Sequence, residues 1–203
     1  MIDACLRTRT HYLDITGEIA VFEAAAARDL EAKAAGIMLL PGAGFDVVPT
    51  DCTAAYLKAQ LPTATHLALA FRGLGRTSRG TTLTALEGMT NNGMIRHNSQ
   101  LTPVPSGWKT RTIDFGDGPR ATVTIPWGDV STAFYSTHIP NIVVYTAFPV
   151  VLIGLLKFSR VVNPLLSLPP VQALLRRAVR AMPPGPNAAQ RERSRSQVWG
   201  EVR

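Results

Sequence analysis

Apolar and polar positions follow one rhythm up to Pro62 and another beyond it. Thr10 to Ile15, THYLDI, is short and β-favouring, and Gly17 breaks it. Ile19, Phe22, Ala26 and Leu30 then recur at helical spacing, with Glu18 and Glu23 near the start and Gly36 just past the end, so one long helix is predicted. Ile37, Met38, Leu39 and Leu40 form a continuous apolar run, the pattern of a buried strand, and Gly42 and Gly44 allow a tight reversal after it. Pro49 suits a first helical turn, Thr50 and Asp51 place polar and negative groups at the positive end of the helix dipole, and Pro62 closes that helix. Strand, helix, strand, helix is the order of a parallel sheet with right-handed crossovers. Ligands bind beyond the carboxyl ends of such strands, which directs attention to Gly42 to Pro49.

After Pro62 the apolar period changes. Leu67, Leu69 and Phe71 alternate with His66, Ala68, Ala70 and Arg72 as a half-buried strand. Leu83, Leu86 and Met89 predict a helix capped by Ser78, and Asn91 to Gly107 reads as loop. Lys109 to Phe115 and Arg120 to Pro126 flank Asp117-Gly118, a strong hairpin signal. A short helix from Gly128 or Asp129 through Tyr135 and a strand over Asn141 to Ala147 complete a βαββαβ order, which predicts a mostly antiparallel sheet with helices on one face. Ile142 to Leu156 is the most hydrophobic stretch, but a span needs roughly twenty residues and Pro149 and Gly154 interrupt a helix, so a core strand running into a core helix is expected. From Val161 an amphipathic basic helix carries Arg176, Arg177 and Arg180, which could lie on an anionic membrane surface or cover another protein face; PPGP follows as a rigid linker, and the end, RERSRSQVWGEVR, is exposed unless Val198 and Trp199 begin a further element.

The expected fold class is therefore α/β: a partial Rossmann-type parallel sheet followed by an α+β domain with a mostly antiparallel sheet. The expected units are residues 1–62, a partial dinucleotide-binding domain; 63–160, an α+β substrate and catalytic domain; and 161–203, a basic helical tail and linker. Charge supports the last division, because residues 1–156 hold twelve Lys/Arg and twelve Asp/Glu whereas residues 157–203 hold nine against two. The net charge of +7 thus resides in the last quarter, as a basic tail. Cys5 and Cys52 have neither CxxC nor metal-ligand spacing, so no disulfide framework and no metal site are implied. The N-terminus lacks the apolar core of a secretory signal, and a cytoplasmic setting is the default.

GAGFD begins like a dinucleotide fingerprint, but Val47 stands where GxGxxG needs its third glycine, and a structural turn is an equally good account. Ser131, His138 and an aspartate could form a triad on paper, yet no GxSxG elbow accompanies them. Arg72, Arg76 and Arg79 could bind phosphate or carboxylate; a solvated turn explains them as well.

Several longer motifs occur in fixed order: DITGE at Asp14 to Glu18, PGAGFDVVPTD at Pro41 to Asp51, SRGT at Ser78 to Thr81, IPWGDVSTAFYST at Ile125 to Thr137, IPN at Ile139 to Asn141 and VWGEV at Val198 to Val202. Together they resemble the saccharopine dehydrogenase-like oxidoreductases, and within them the bacterial trans-acting enoyl reductases. The resemblance implies a nicotinamide-dependent reductase using NADP(H) or NAD(H), acting in some members on polyketide-derived lipids of the cell envelope, as in glycolipid biosynthesis. It also implies an internal fragment, lacking the family's N-terminal GxxGxxG-type loop and its C-terminal portion. Asp14, Thr16, Gly17 and Glu18 would then end one parallel strand and Gly42, Gly44, Phe45 and Asp46 the next, both facing the nicotinamide. The glycines would admit the ring, Phe45 would pack on it, and Asp46 or Glu18 would accept a ribose hydroxyl or hold the amide. Each residue also has a structural account, as turn cap, helix-dipole partner or core.

Hydride transfer to a carbon–carbon double bond leaves enolate-like charge to be stabilised and protonated. The candidates are Tyr135 as proton donor, His138 as carbonyl polariser, and Asp129, which also suits an N-cap. The expected partners are a small-molecule or carrier-linked lipid substrate, a peripheral membrane contact and a second copy in a homodimer. No nucleic acid is expected, since RERSRS is short and lacks interleaved aromatics before Trp199. The alternative is a non-catalytic membrane-surface or protein-interaction module derived from such an enzyme.

Overall fold

The structure, a computed structural model, describes residues 1–74, 79–80, 92–157, 168–181, 183 and 185–203. The helix expected after Ser78 and the lead-in from Val161 fall outside those residues, apart from Arg79 and Gly80.

The first two strands are very short. β1 (Tyr12–Leu13) and β2 (Leu39–Leu40) pair in parallel, Tyr12 opposite Leu39 and Leu13 opposite Leu40. A helix α1 (Ile2–Thr8) precedes them. The single long helix expected between them is instead two, α2 (Ile19–Ala26) and α3 (Asp29–Ala35). Arg28 leaves the helical region at φ −101°, and its guanidinium bonds Asp3 at 2.7 Å and Glu31 at 2.8 Å. That break resets the helical phase, so Leu30 is exposed and Ala32 is buried in its place. Gly36 ends α3 in the left-handed region at φ 68°, as its position predicts. α4 (Val48–Gln60) has Pro49 in its first turn.

The remaining strands form one seven-stranded sheet. β3 (His66–Leu74) lies between β8 (Asn141–Ala147), its parallel neighbour, and β9 (Arg195–Val202), which is antiparallel. The far side of β8 is shared. Near its start Ile142 pairs with Arg96 of β4 (Gly93–His97), and at its end Tyr145 to Ala147 pair with β7 (Pro119–Thr124). Outside these strands lie β5 (Gln100–Val104), paired with β4, and β6 (Thr110–Asp114), paired with β7. The molecule is thus a mixed α/β structure with a small parallel sheet and a larger, mostly antiparallel one, which meets the expected fold class.

Two stretches differ from the sequence reading. Asn91 to Gly107, expected as loop, contains the β4–β5 hairpin, turned by Asn98 and Ser99 at φ 47° and 67°. Asn tolerates that left-handed region, and Pro103 is accommodated because β5 is an edge strand. RSQVWGEV, expected to be exposed, is the edge strand β9, with Trp199 opposite Ala70 and Gly200 opposite Leu69. Gly200 is needed there, since a Cβ would stand 2.6 Å from Leu57 of α4.

Alternation along β3 and β8 separates the two faces of the large sheet. Leu67, Leu69, Ile142 and Val144 point toward α4 and toward α5 (Asp129–Thr137), burying Ala54, Val130 and Ala133 with them. The other face holds a smaller cluster of Ala70, Ile113 and Tyr145, with Trp199 and Phe115 against it. The apolar run after β8 continues as α6 (Val150–Lys157), which buries Ile153 but exposes Val150 and Val151. α7 (Pro169–Ala181) and α8 (Ala188–Arg193) precede β9. Among the described residues no helix is long and apolar enough to cross a membrane.

Candidate functional site

The two loops that follow β1 and β2 are joined by one side chain. Asp14 Oδ1 accepts hydrogen bonds from the Thr16 amide at 3.0 Å and the Gly42 amide at 2.8 Å, and Oδ2 accepts one from the Tyr12 hydroxyl. The Ala43 amide donates to the Asp14 carbonyl at 2.7 Å. Burial pushes the Asp14 carboxyl up, but the hydrogen bonds from Tyr12, Thr16 and Gly42 together outweigh it and hold the pKa below the usual carboxylate range. The same contact pushes the Tyr12 phenol up to about 12. Asp14 is therefore the clasp of the loop pair, with both oxygens in use.

The glycines of the loops face protein. A Cβ on Gly42, which has φ 74°, would stand 2.6 Å from Phe22 and 2.9 Å from Val47. One on Gly44 would stand 3.0 Å from Ile15, and one on Gly17 would stand 3.1 Å from Asp46 Oδ2. Gly128, just before α5, would collide with the same Phe22 and Val47 at 2.7 and 2.6 Å. Phe22 and Val47 thus fill the space between the small sheet and α5, and the absent side chains permit that docking. The Trp127 indole N–H adds a hydrogen bond to the Asp46 carbonyl.

In these loops Ile15 is 75% and Phe45 59% exposed, and burial pushes the carboxyl of Asp46, the next residue after Phe45, up. Glu18 lies at the N-cap of α2 with its amide bonded to the Thr16 hydroxyl at 3.2 Å. The loops thus offer two exposed apolar side chains, Ile15 and Phe45, and two carboxylates, Glu18 and Asp46. They do not make a pyrophosphate cradle. The Thr16, Glu18, Gly42 and Ala43 amides are committed to Asp14 and Thr16, and the glycine Cβ positions are filled by the chain's own side chains.

The three catalytic candidates are spread along α5 and do not converge. Asp129 is its first residue and His138 its C-cap, nine residues on, or roughly 13 Å along the axis. His138 adopts φ 56° and donates its amide to the Phe134 carbonyl at 2.8 Å, a terminating role. Gly128, and not Asp129, is the N-cap. Asp129 is 0% exposed, and among the described residues neither carboxyl oxygen has a hydrogen-bond partner. The nearby Thr50 hydroxyl donates to the Val47 carbonyl at 3.0 Å. Burial, reinforced by Asp51 and Asp46 and only partly offset by Thr50, pushes Asp129 up to about 8. Asp51 on α4, expected to serve the helix dipole, faces α5 as well: its Oδ2 accepts from Ser136 at 2.6 Å, and burial pushes its carboxyl up.

Tyr135 does reach the loops. It lines an open groove of about 640 Å³ together with Phe22, Pro41, Gly42, Val47 and Asp51. Its hydroxyl donates to Glu23 Oε2 at 3.0 Å, and burial with the Glu23 carboxylate pushes the phenol up. Glu23 was not expected to matter beyond its helix. It also accepts from Ser131 Oγ at 2.6 Å and from Arg96 at 2.7 Å, and Arg96 is buried with further bonds to the Val130 and Ser99 carbonyls and its guanidinium 4.2 Å from the Phe134 ring centre. Ser131 is thereby a hydrogen-bond donor to Glu23. No sequence signal marks this group, because its members come from α2, β4 and α5. Arg72 is likewise committed: its guanidinium bonds Asp117 and Gln197 and lies over Phe115.

The fold and the loop geometry define a mixed α/β protein with a loop pair at the carboxyl ends of two parallel strands and a groove beside it. Among solved structures, the apo, histidine-tagged saccharopine dehydrogenase (L-Glu forming) from Saccharomyces cerevisiae is similar to this chain, at 13% identity and a TM-score of 0.44, over 71% of this chain and 36% of that one. The chain thus spans little more than a third of that protein's length, and a likeness at this level carries no inference about chemistry. No protein-family model matches the chain, and no curated protein matches it.

Proposed function

We propose that the chain supplies the nicotinamide side of an NAD(P)-dependent oxidoreductase of the saccharopine dehydrogenase-like type, an enoyl reductase acting on a lipid- or polyketide-derived substrate. The observation that carries this reading is the Asp14 clasp, which sets the DITGE and PGAGFD loops side by side beyond two neighbouring parallel strands. When bound, the nicotinamide supplies a hydride. The chain's part is to hold and orient it: Phe45 and Ile15 give a ring a surface to pack on, and Asp46 and Glu18 offer acceptors for a ribose hydroxyl or carboxamide N–H. Tyr135, on the groove beside Gly42, keeps its proton on the phenolic oxygen and donates it to Glu23; turned from Glu23 toward the groove, it would be the proton donor to developing negative charge. Asp129 is fully buried, with its pKa pushed up by that burial, and is out of reach of a ligand in the groove.

The filled glycine positions favour the second reading, a non-catalytic interaction module built from the same fold. Titration with NADPH and NADH, followed by amide resonances, separates the two. The oxidoreductase reading expects saturable shifts at Gly17, Gly44 and Phe45, with Phe45→Ala weakening binding roughly tenfold through loss of ring packing. Shifts that are absent, or that Phe45→Ala leaves unchanged, favour the module.

A further inference from the structure

We propose that α7 is a docking face for an anionic lipid bilayer. Its thirteen residues, PPVQALLRRAVRA, contain three arginines and no acidic residue. At about 3.6 residues per turn, Val171, Leu175 and Val179 share one side, and these are the positions that the protein covers: Val179 is buried and the other two half-buried. The opposite arc runs through Arg176, Arg180 and Arg177 to Leu174. All three arginines are exposed, and Leu174, at the edge of that arc, is 68% exposed, with Leu168 exposed just before the helix. The exposed side thus carries three arginines and no acidic residue, with the small Ala173 among them and a bare leucine at its margin.

Lipid is the partner that this combination fits. Arg177 and Arg180, within one turn of each other, can meet phosphates or carboxylates of a headgroup layer, Arg176 adds positive charge beside them, and Leu174 enters the acyl boundary alongside. The net charge of the sequence in this quarter has the same sign, with nine Lys/Arg against two Asp/Glu over residues 157–203. A nucleic acid would use the arginines but leave Leu174 unexplained. Contact by this face is peripheral, as no described helix can span a bilayer. It does not depend on the oxidoreductase reading.

The test is co-sedimentation of the whole chain with vesicles of phosphatidylcholine, with and without phosphatidylserine, at low and high salt. The protein should sediment with the phosphatidylserine vesicles at low salt and be released at high salt. Replacing Arg176, Arg177 and Arg180 by Ala should lower partitioning roughly fivefold per arginine, on the order of a hundredfold together. Leu174→Gln, at an exposed position that cannot unfold the core, should lower it roughly tenfold. Arg177→Glu alone, with circular dichroism to show the fold intact, should also release the protein, and the distant pair Arg7→Ala and Arg120→Ala should not. Absence of sedimentation, equal binding to pure phosphatidylcholine, or undiminished binding by Arg177→Glu overturns the proposal. So does binding of duplex DNA without any lipid partitioning, which would assign the face to nucleic acid.

Discussion

The two sheets of this molecule hold themselves together by different means. The large one is stabilised by burial: Leu67, Leu69, Ile142 and Val144 are enclosed between the strands and α4 and α5, and β3 has a full partner on each side. The small one has two residues per strand, and of its three leucines Leu13 and Leu40 are exposed and Leu39 is half-buried. A parallel pair of that size has little stability of its own. It persists through side chains: the Asp14 clasp within it, Phe22 and Val47 wedged against Gly128, and the Glu23–Arg96 pair tying α2 to β4. The region that carries the candidate site is thus mounted on the region that carries the core. Local opening is expected to begin at the mount.

Substitutions should separate the two regimes. Leu69→Ala, at a site with 0% exposure, should cost about 4 kcal/mol in chemical denaturation, whereas Leu13→Ala, 56% exposed, should cost less than about 0.5 kcal/mol. Comparable costs would contradict the division. Arg96→Ala should cost about 3 kcal/mol, because it leaves Glu23 without its cation and empties a buried site. Its distinguishing mark is hydrogen exchange, which should accelerate in α2 more than in β3; uniform acceleration would mean that the pair is simply part of the core.

Glycine substitutions sharpen the same contrast. Gly42→Ala and Gly36→Ala both impose a side chain on a left-handed backbone, at a cost of about 1 kcal/mol. Only Gly42 also drives a Cβ into Phe22 and Val47, while Gly36 has nothing within 4 Å. Thermal melts should therefore show a loss of about 3 kcal/mol for Gly42→Ala and about 1 kcal/mol for Gly36→Ala. Equal losses would remove the wedge from the account.

Asp129 gives a pH signature at the α4–α5 contact. Its folded pKa, about 8, lies above the ordinary carboxylate value, so the folded state holds a proton that the unfolded chain has lost. Its stabilising contribution is complete below about pH 4, falls by about 1.4 kcal/mol per pH unit as pH rises toward 8, and is exhausted above that. Asp129→Asn, which keeps the shape of the neutral acid, should flatten the stability profile between those limits. A profile of unchanged slope would show that Asp129 is ionised when folded.

Much of this was legible in the sequence where a local rule decides the outcome. Asp117-Gly118 announced its hairpin, Gly36 the end of α3, and Leu67, Leu69 and Phe71 the buried face of β3. Local rules failed where a distant partner decides. Arg28, at the helix break, pairs with the distant Asp3, and β9 is a strand along the edge that β3 offers it. The hairpin at Asn98-Ser99 was hidden by Pro103 and Pro105, which look like loop residues until β5 is known to lie at the sheet edge. Strand order directed attention to Gly42 to Pro49, and the family resemblance implied its partner loop at Asp14 to Glu18. The Glu23, Ser131, Tyr135 and Arg96 group could not be placed in this way, because its four members span 112 residues.

The central claim is that the paired loops form one half of a nicotinamide site. It is tested most directly by titrating NADPH into the chain while following the amide resonances of residues 14–18 and 42–46. The account predicts saturable shifts confined to those loops and weakened by Phe45→Ala. No shift with either NADPH or NADH, in protein shown to be folded by its β3 and β8 resonances, would contradict it.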